Sequence, residues 1–397
     1  MVSQGPLTDL LVLDVTRVLA GPFAGMVLAD LGAEVVKIER PGGGDDARAF
    51  GPFRNGVSAY FASVNRGKKS LTLDLKAPAG RDIFLRLAEQ ADVVLENFRP
   101  GVMDRLGLGC GQLRERNPRL VYAACSGFGQ TGPYRDRPAY DAVIQAMGGI
   151  MSITGEEGGP PVRVGASIAD ITAALYTVIG ILGALHARER TGEGQLVDVA
   201  MLDCQVGILE NAIARYFASG EAPGRLGTRH PSITPFQAFD TADGQLVVAI
   251  GNDRLWEQFC RLVGREELAT DERFATNALR TEHYRELLPL LEGIFRAHPT
   301  DWWLAALEGA GIPSGPINTI DRLAEDPQVA ARSMLQEVED PAAGLLRMAG
   351  VPIKLSATPG AIAGPAPALG EHTDAILSAR LDLDEATILR LRRDGVL

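Results

Sequence analysis

Two hydrophobic periods alternate along the first 40 residues. Residues 10–15 (LLVLDV) form a contiguous apolar run of buried-strand length, residues 21–31 space their apolar side chains as a helix does, and residues 33–39 (AEVVKIE) make a second strand. The spacing predicts a β-α-β unit. The same alternation continues through strands at 70–75 (SLTLDL), 92–95 (DVVL) and 120–126 (LVYAACS), with a helix at 81–91. It predicts an α/β, doubly wound parallel sheet with helices on both faces. Residues 171–185 form a long apolar helix, followed by a strand at 195–199 and helical spacing over 201–219.

Beyond this point the pattern changes. Residues 220–235 (GEAPGRLGTRHPSITP) carry the Gly, Pro and Thr of a linker. Residues 237–250 read as a hairpin around Asp243-Gly244, and 254–310 is mostly helical. A second irregular stretch covers 313–320, and the tail from 351 mixes short strands, Pro-rich loops and a last helix. The expected organisation is a large domain begun by 1–219, a linker at 220–235, a smaller α+β domain at 236–320, and a return at 321–397 that completes the large domain.

Composition narrows the function. With 46% hydrophobic and 22% charged residues the chain is globular, and its net charge of −11 disfavours nucleic acid and anionic membranes as partners. Any polyanion must therefore meet a local cluster of cations. The four cysteines form no CxxC pair and the five histidines show no metal spacing, so neither a structural metal nor a disulfide framework is expected. No signal peptide is visible at the N-terminus, and the 171–185 stretch falls short of a membrane span, which gives a cytoplasmic expectation.

The candidate chemistry starts at Asp170, which stands just before the apolar helix. A carboxylate there can cap the helix and is kept ionised by the helix field, which suits both a cap and a nucleophile. The turn after the first strand (DVTRVLAGPFAG) lacks G-x-G-x-x-G, so the usual dinucleotide-phosphate contact is not expected, although Glu39 stands where a ribose-binding acid would. Lys68, Lys69, Lys76, Arg40, Arg99 and Arg105 sit on loops flanking the strands, where a parallel sheet can gather them into a phosphate site. No GxSxG elbow, HExxH or Walker loop is present.

Several ordered segments then match one family. LDVTRVLAGPFAGMVLADLGAEVVKIERPG, NRGKKSLTLDLK, DVVLENFRPGVMDRLGL, GFGQTGPYRDRPAYDAVIQAMGGIMSITG, the 170–202 stretch and ALGEHT span almost the whole sequence. The chain resembles the class III CoA-transferases, the CaiB/BaiF family. The resemblance implies that Asp170 is the catalytic nucleophile, passing through a mixed anhydride and an aspartyl-CoA thioester. It implies CoA contacts at Val18, Ala20, Arg40, Leu73, Lys76, Asn97, Phe98, Arg105, Tyr140 and Met201. It also implies an interlocked homodimer, with CoA and acyl-CoA as substrates and no permanently bound cofactor.

Two departures refine the expectation. Tyr140 stands where the family's racemases carry a His, which favours transfer over proton exchange. Residues 249–256 (AIGNDRLW) hold only Gly251 where the formyl-CoA enzymes have a glycine-rich flap, and Leu19 replaces their Gln. The opening of the chain looks most like members that use succinyl-CoA with dicarboxylic acids such as glutarate, and Arg17 and Arg48 are candidates for the second carboxylate. The alternatives are a 2-methylacyl-CoA racemase or epimerase, and a non-catalytic acyl-CoA-binding protein.

Overall fold

The computed structural model describes residues 5–397. It opens with β1 (Leu11–Asp14), α1 (Ala20–Asp30), β2 (Glu34–Glu39), a β3–β4 ribbon (Phe53–Arg54, Val57–Ser58), α2 (Ala59–Asn65), β5 (Lys69–Thr72), α3 (Pro78–Ala88) and β6 (Val93–Glu96). Two short helices, α4 (Val102–Arg105) and α5 (Cys110–Arg116), lead to β7 (Val121–Ser126), α6 (Asp141–Met147) and α7 (Ile150–Ile153). The long α8 (Ile168–Thr191), β8 (Leu196–Ala200), α9 (Met201–Ile208) and α10 (Glu210–Ser219) follow.

Six of these strands form one parallel sheet in the order β5-β2-β1-β6-β7-β8. Alternation along each strand feeds two cores. Leu11, Leu13, Val36, Leu71 and Val94 face a cluster with Phe84, Leu87 and Leu377. Val12, Val35, Val93 and Leu95 face Ala24 and Leu28 of α1 and Ala174, Val178 and Ile181 of α8. Gly180 is required where α8 lies on β8, because a Cβ there would stand 2.5 Å from Val197 Cγ1. The strand order reverses between β1 and β6, the place where doubly wound sheets open a crevice at the carboxyl ends of the strands.

The chain divides into two compact units, 1–150 with 163–219 and 328–397, and 151–162 with 220–327. The second unit holds a three-stranded antiparallel sheet, β9 (Phe236–Asp240), β10 (Gln245–Ala249) and β11 (Ser314–Pro316), over a core of Trp256, Phe259, Phe295 and Trp303. Residues 220–235 are not a free connector. The Gly227 N–H donates to Gly155 O at 2.9 Å and Arg225 Nε to Gly159 O at 2.9 Å, which is why 151–162 joins this unit.

Two further expectations are corrected. Helix α8 starts at Ile168 and runs 24 residues, long and apolar enough by length and composition to cross a membrane, whereas the sequence suggested a shorter stretch. Half of its most apolar window is buried inside the protein, and its buried positions follow the helical period against α1 and the sheet. The tail from 351 contains no strand among the described residues. Its ordered elements are two helices, Thr373–Leu381 and Glu385–Arg393, while the hairpin of that region lies earlier, at Leu335–Asp340 and Gly344–Ala349.

Candidate active site

Asp170 is the third residue of α8, not its cap. The N-cap position is Ser167, whose side chain makes no capping bond. Because α8 runs back along the sheet to β8, its first turn lies at the carboxyl edge of the strands. Asp170 there lines a cleft of about 230 Å3 with Arg17, Val18, Leu19 and Ala20 from the β1–α1 turn, and Asn97, Phe98 and Arg99 after β6. Ser126, Gly127, Arg135, Arg137, Tyr140 and Met201 close the other side. The cleft thus stands at the strand-order reversal, and the two loops that frame it are laced together. Arg17 N–H donates to Asn97 Oδ1 at 2.8 Å, and Asn97 Nδ2 donates to Arg17 O at 2.8 Å.

The electrostatics differ from the sequence expectation. Burial, reinforced by the neighbouring Asp141 carboxylate, lifts Asp170 from 3.8 to about 7. The helix field does not keep this carboxyl strongly acidic; desolvation wins. Cys125, on the same wall, is pushed by burial up to about 12, so its thiol stays protonated at neutral pH and does not compete as a nucleophile. Tyr60 holds its proton more tightly, through burial first and then through the charges of Asp170, Asp45 and Asp141.

A second cavity of about 520 Å3 adjoins the first. It is lined by Arg40, Leu73, Lys76, Val102 and Leu106, and it shares Arg17, Phe98 and Arg99 with the cleft. Of the expected CoA contacts, Val18, Ala20, Asn97, Tyr140 and Met201 therefore lie beside Asp170, Arg40, Leu73 and Lys76 lie in the outer cavity, and Phe98 belongs to both. Arg105 is exposed on α4 and lines neither.

The wall of the cleft rests on buried ions. Lys68 Nζ meets Asp14 Oδ2 at 2.8 Å and Lys37 Nζ meets Asp45 Oδ2 at 2.9 Å, all four side chains being at most 1% exposed. Lys37 also donates to Thr16 O at 2.9 Å, and Asp45 Oδ1 accepts the Val18 N–H at 3.0 Å. These bonds hold Val18 at φ 70°, a left-handed conformation that costs a β-branched residue about 1–3 kcal/mol.

Some expected cations are placed elsewhere. Lys68 is consumed by this network, and Lys69, at the start of β5 and hence on the opposite sheet edge, pairs with Glu34 at 2.9 Å. Arg48 forks onto Glu39 at 2.7 and 2.8 Å, stacks on the Phe61 ring and lines a separate cavity, away from Asp170. Arg17 does line the cleft, shared with Asp46 at 3.1 Å, as does Leu19. Sequence reasoning missed Arg135 and Arg137. Their signal is the RDRPAYD run, two arginines on a loop that leaves the carboxyl end of β7. It also missed Asp141 and Tyr60, which no local pattern distinguishes.

The arrangement combines a basic carboxylate at the floor of a cleft with arginines around its mouth, fitting a polyanionic ligand whose reactive end reaches Asp170. The sequence profile of CoA-transferase family III matches residues 7–373. The chain belongs to CoA-transferase family III. This family III chain is 47% identical over 354 residues to the acetyl-CoA:oxalate CoA-transferase of Acetobacter aceti, covering 89% of this chain and 90% of that protein. It is 42% identical over 396 residues to the mouse succinyl-CoA:glutarate CoA-transferase, covering 100% of this chain and 91% of that protein. The crystal structure of a CAIB/BAIF family protein from Brucella suis matches with a TM-score of 0.84 at 42% identity, over 95% of this chain and 100% of that one. The protein is a class III CoA-transferase, and its substrates are CoA thioesters.

Proposed function

We propose that the protein moves CoA from succinyl-CoA to a dicarboxylic acid, with Asp170 as the nucleophile. The observation that carries this reading is a carboxyl raised to about 7 in a cleft ringed by Arg17, Arg99, Arg135 and Arg137. A carboxylate of that basicity is a better nucleophile than an ordinary one and is still ionised in substantial part at neutral pH.

In this mechanism an Asp170 oxygen attacks the donor thioester carbon, the C–S bond breaks and the CoA thiolate is held in the cleft. The thiolate then attacks the Asp170 carboxyl carbon, expelling the donor acid as a carboxylate and leaving an aspartyl-CoA thioester. The acceptor carboxylate attacks that thioester and frees the thiolate again. Attack of the thiolate on the acceptor acyl carbon releases the new CoA thioester and restores the Asp170 carboxylate. No net proton is taken up or lost.

The outer cavity, with Arg40 and Lys76, suits the phosphates of CoA, and Val18, Ala20, Asn97, Phe98, Tyr140 and Met201 suit the arm that reaches Asp170. Arg135 and Arg137 are better placed than Arg48 for the second carboxylate of an acid. The relatives' names supply the substrate class, oxalate and glutarate both being dicarboxylic. A homodimer accompanies this reading, supported by the apolar side chains that α8 and α10 leave exposed, Ile179 at 63% and Phe217 at 79% among them.

The test is purified protein with succinyl-CoA and a pool of mono- and dicarboxylic acids, new CoA thioesters being read by mass. One dominant dicarboxyl-CoA product that vanishes in Asp170→Ala supports the reading, while the variant retains CoA binding. Product only from monocarboxylates would overturn the acceptor class. The same raised carboxyl would serve a racemase as base, and α-proton exchange of a 2-methylacyl-CoA in D2O without transfer would favour that reaction instead.

A further inference from the structure

Asp170 is one of two carboxylates at the start of α8. The other, Asp141, is the first residue of α6 and is buried. Its Oδ1 accepts the N–H of Ala169, the residue beside Asp170, at 2.9 Å, and its Oδ2 accepts from Gln145 Nε2 at 2.7 Å. Since Ser167 makes no capping bond, an aspartate from a neighbouring helix satisfies an N–H that a local cap would otherwise take. Gln145 in turn accepts the Val164 N–H at 2.9 Å, so one relay ties α6, the segment leading into α8, and the peptide next to Asp170.

Capping alone needs only an acceptor, and a neutral Ser or Asn would serve. A carboxylate adds a charge beside Asp170. That charge is weakly compensated: among the described residues its one ion-pair contact is Arg163 Nη1 at 3.9 Å, from a half-exposed side chain. We propose that Asp141 is a positioning residue for CoA transfer, fixing the first turn of α8 through Ala169 and using its negative charge to make the Asp170 carboxylate a stronger nucleophile. This rests on the reading of Asp170 given above.

The titratable and charged groups around Asp170 come from several elements: Asp141 from α6, Cys125 from β7 and the arginines 17, 99, 135 and 137 of the shared cleft, while Tyr60 of α2 feels the Asp170 charge. Of these, Asp141 is the one that adds to burial in holding the proton on Asp170. A more basic carboxylate attacks a thioester faster once ionised, and it is ionised over a narrower pH range. Both effects are readable.

Asp141→Asn keeps an acceptor for the Ala169 N–H and removes the charge. The acidic limb of its kcat–pH profile is expected to move to lower pH by on the order of one unit, and with a Brønsted slope near ~0.5 the plateau falls about threefold. KM for the acyl-CoA stays put. Arg163→Gln removes the partial compensation from an exposed position and is expected to move the limb the opposite way. A purely structural role would lower the plateau and leave the limb in place, and a limb that does not move in Asp141→Asn would overturn the proposal. The same displacement is expected without substrate, in a carboxyl 13C titration of Asp170 assigned through Asp170→Asn. If wild-type protein moves no CoA, the functional reading has failed, while the titration still decides whether Asp141 acts on Asp170.

Discussion

Replacing Asp170 with Asn should stabilise the protein, and more so as pH rises. The folded state holds the Asp170 proton up to about pH 7, whereas the ordinary value, taken for the unfolded chain, is 3.8. Below 3.8 both states are protonated and the group contributes nothing. Between 3.8 and 7 the unfolded chain releases its proton first, so stability falls with rising pH, and above 7 the penalty is complete. A gap of about three pH units at ~1.4 kcal/mol each sets that penalty near 4 kcal/mol. Asn is isosteric and uncharged, so it removes the penalty while leaving the packing in place. Thermal melts of both proteins at matched concentration from pH 4 to pH 8 would read the difference. The curves should lie close together at pH 4 and separate toward pH 8, with the variant higher by on the order of 5 °C or more. A separation that stays constant across this range would show that burial does not perturb Asp170, and would remove the physical basis for its basicity as a nucleophile.

Three further outcomes are expected. Lys68→Met leaves Asp14 charged and unpaired in the interior and should cost about 3–5 kcal/mol, read by chemical denaturation; a loss under 1 kcal/mol would contradict the role given to the buried network. Lys76→Ala should raise KM for acyl-CoA about fivefold with kcat within about twofold, because a cation in the outer cavity binds ground and transition states alike; a matching fall in kcat would place it at the chemistry instead. Arg48→Ala should lower stability by uncovering Glu39 while changing KM for mono- and dicarboxylic acids equally, and a selective effect on dicarboxylates would return Arg48 to the substrate site.

The alternation of residues 10–39 was enough to find β1, α1 and β2, because each of these elements buries its apolar positions against the sheet or the helices that cover it. Asp170 was legible as a helix-start residue, but its place in the first turn was not. The acceptor that serves that turn is Asp141, 28 residues away, so nothing local marks Ser167 as the start. Lys68 fails for the same reason in reverse: a lysine in NRGKKS looks like surface until Asp14, 54 residues earlier, is seen to meet it. The arginines of RDRPAYD share a loop with many exposed residues, and only the sheet edge they reach singles them out.

The way the large unit is assembled bears on how the protein must be made. Leu377, Leu381, Val396 and Leu397 belong to the same core as Leu13, Leu71 and Phe84, and Val396 O accepts the Asp74 N–H at 2.8 Å. On a ribosome, residues 220–327 emerge as most of one unit before the segment that seals one face of the other has been translated. Until residues 372–397 arrive, that face of the sheet is a sticky intermediate, with β5 lacking the His372 and Thr373 contacts that line its edge. A nascent chain stalled short of residue 372 should therefore depend on chaperones for solubility, while its second unit is already able to resist proteolysis.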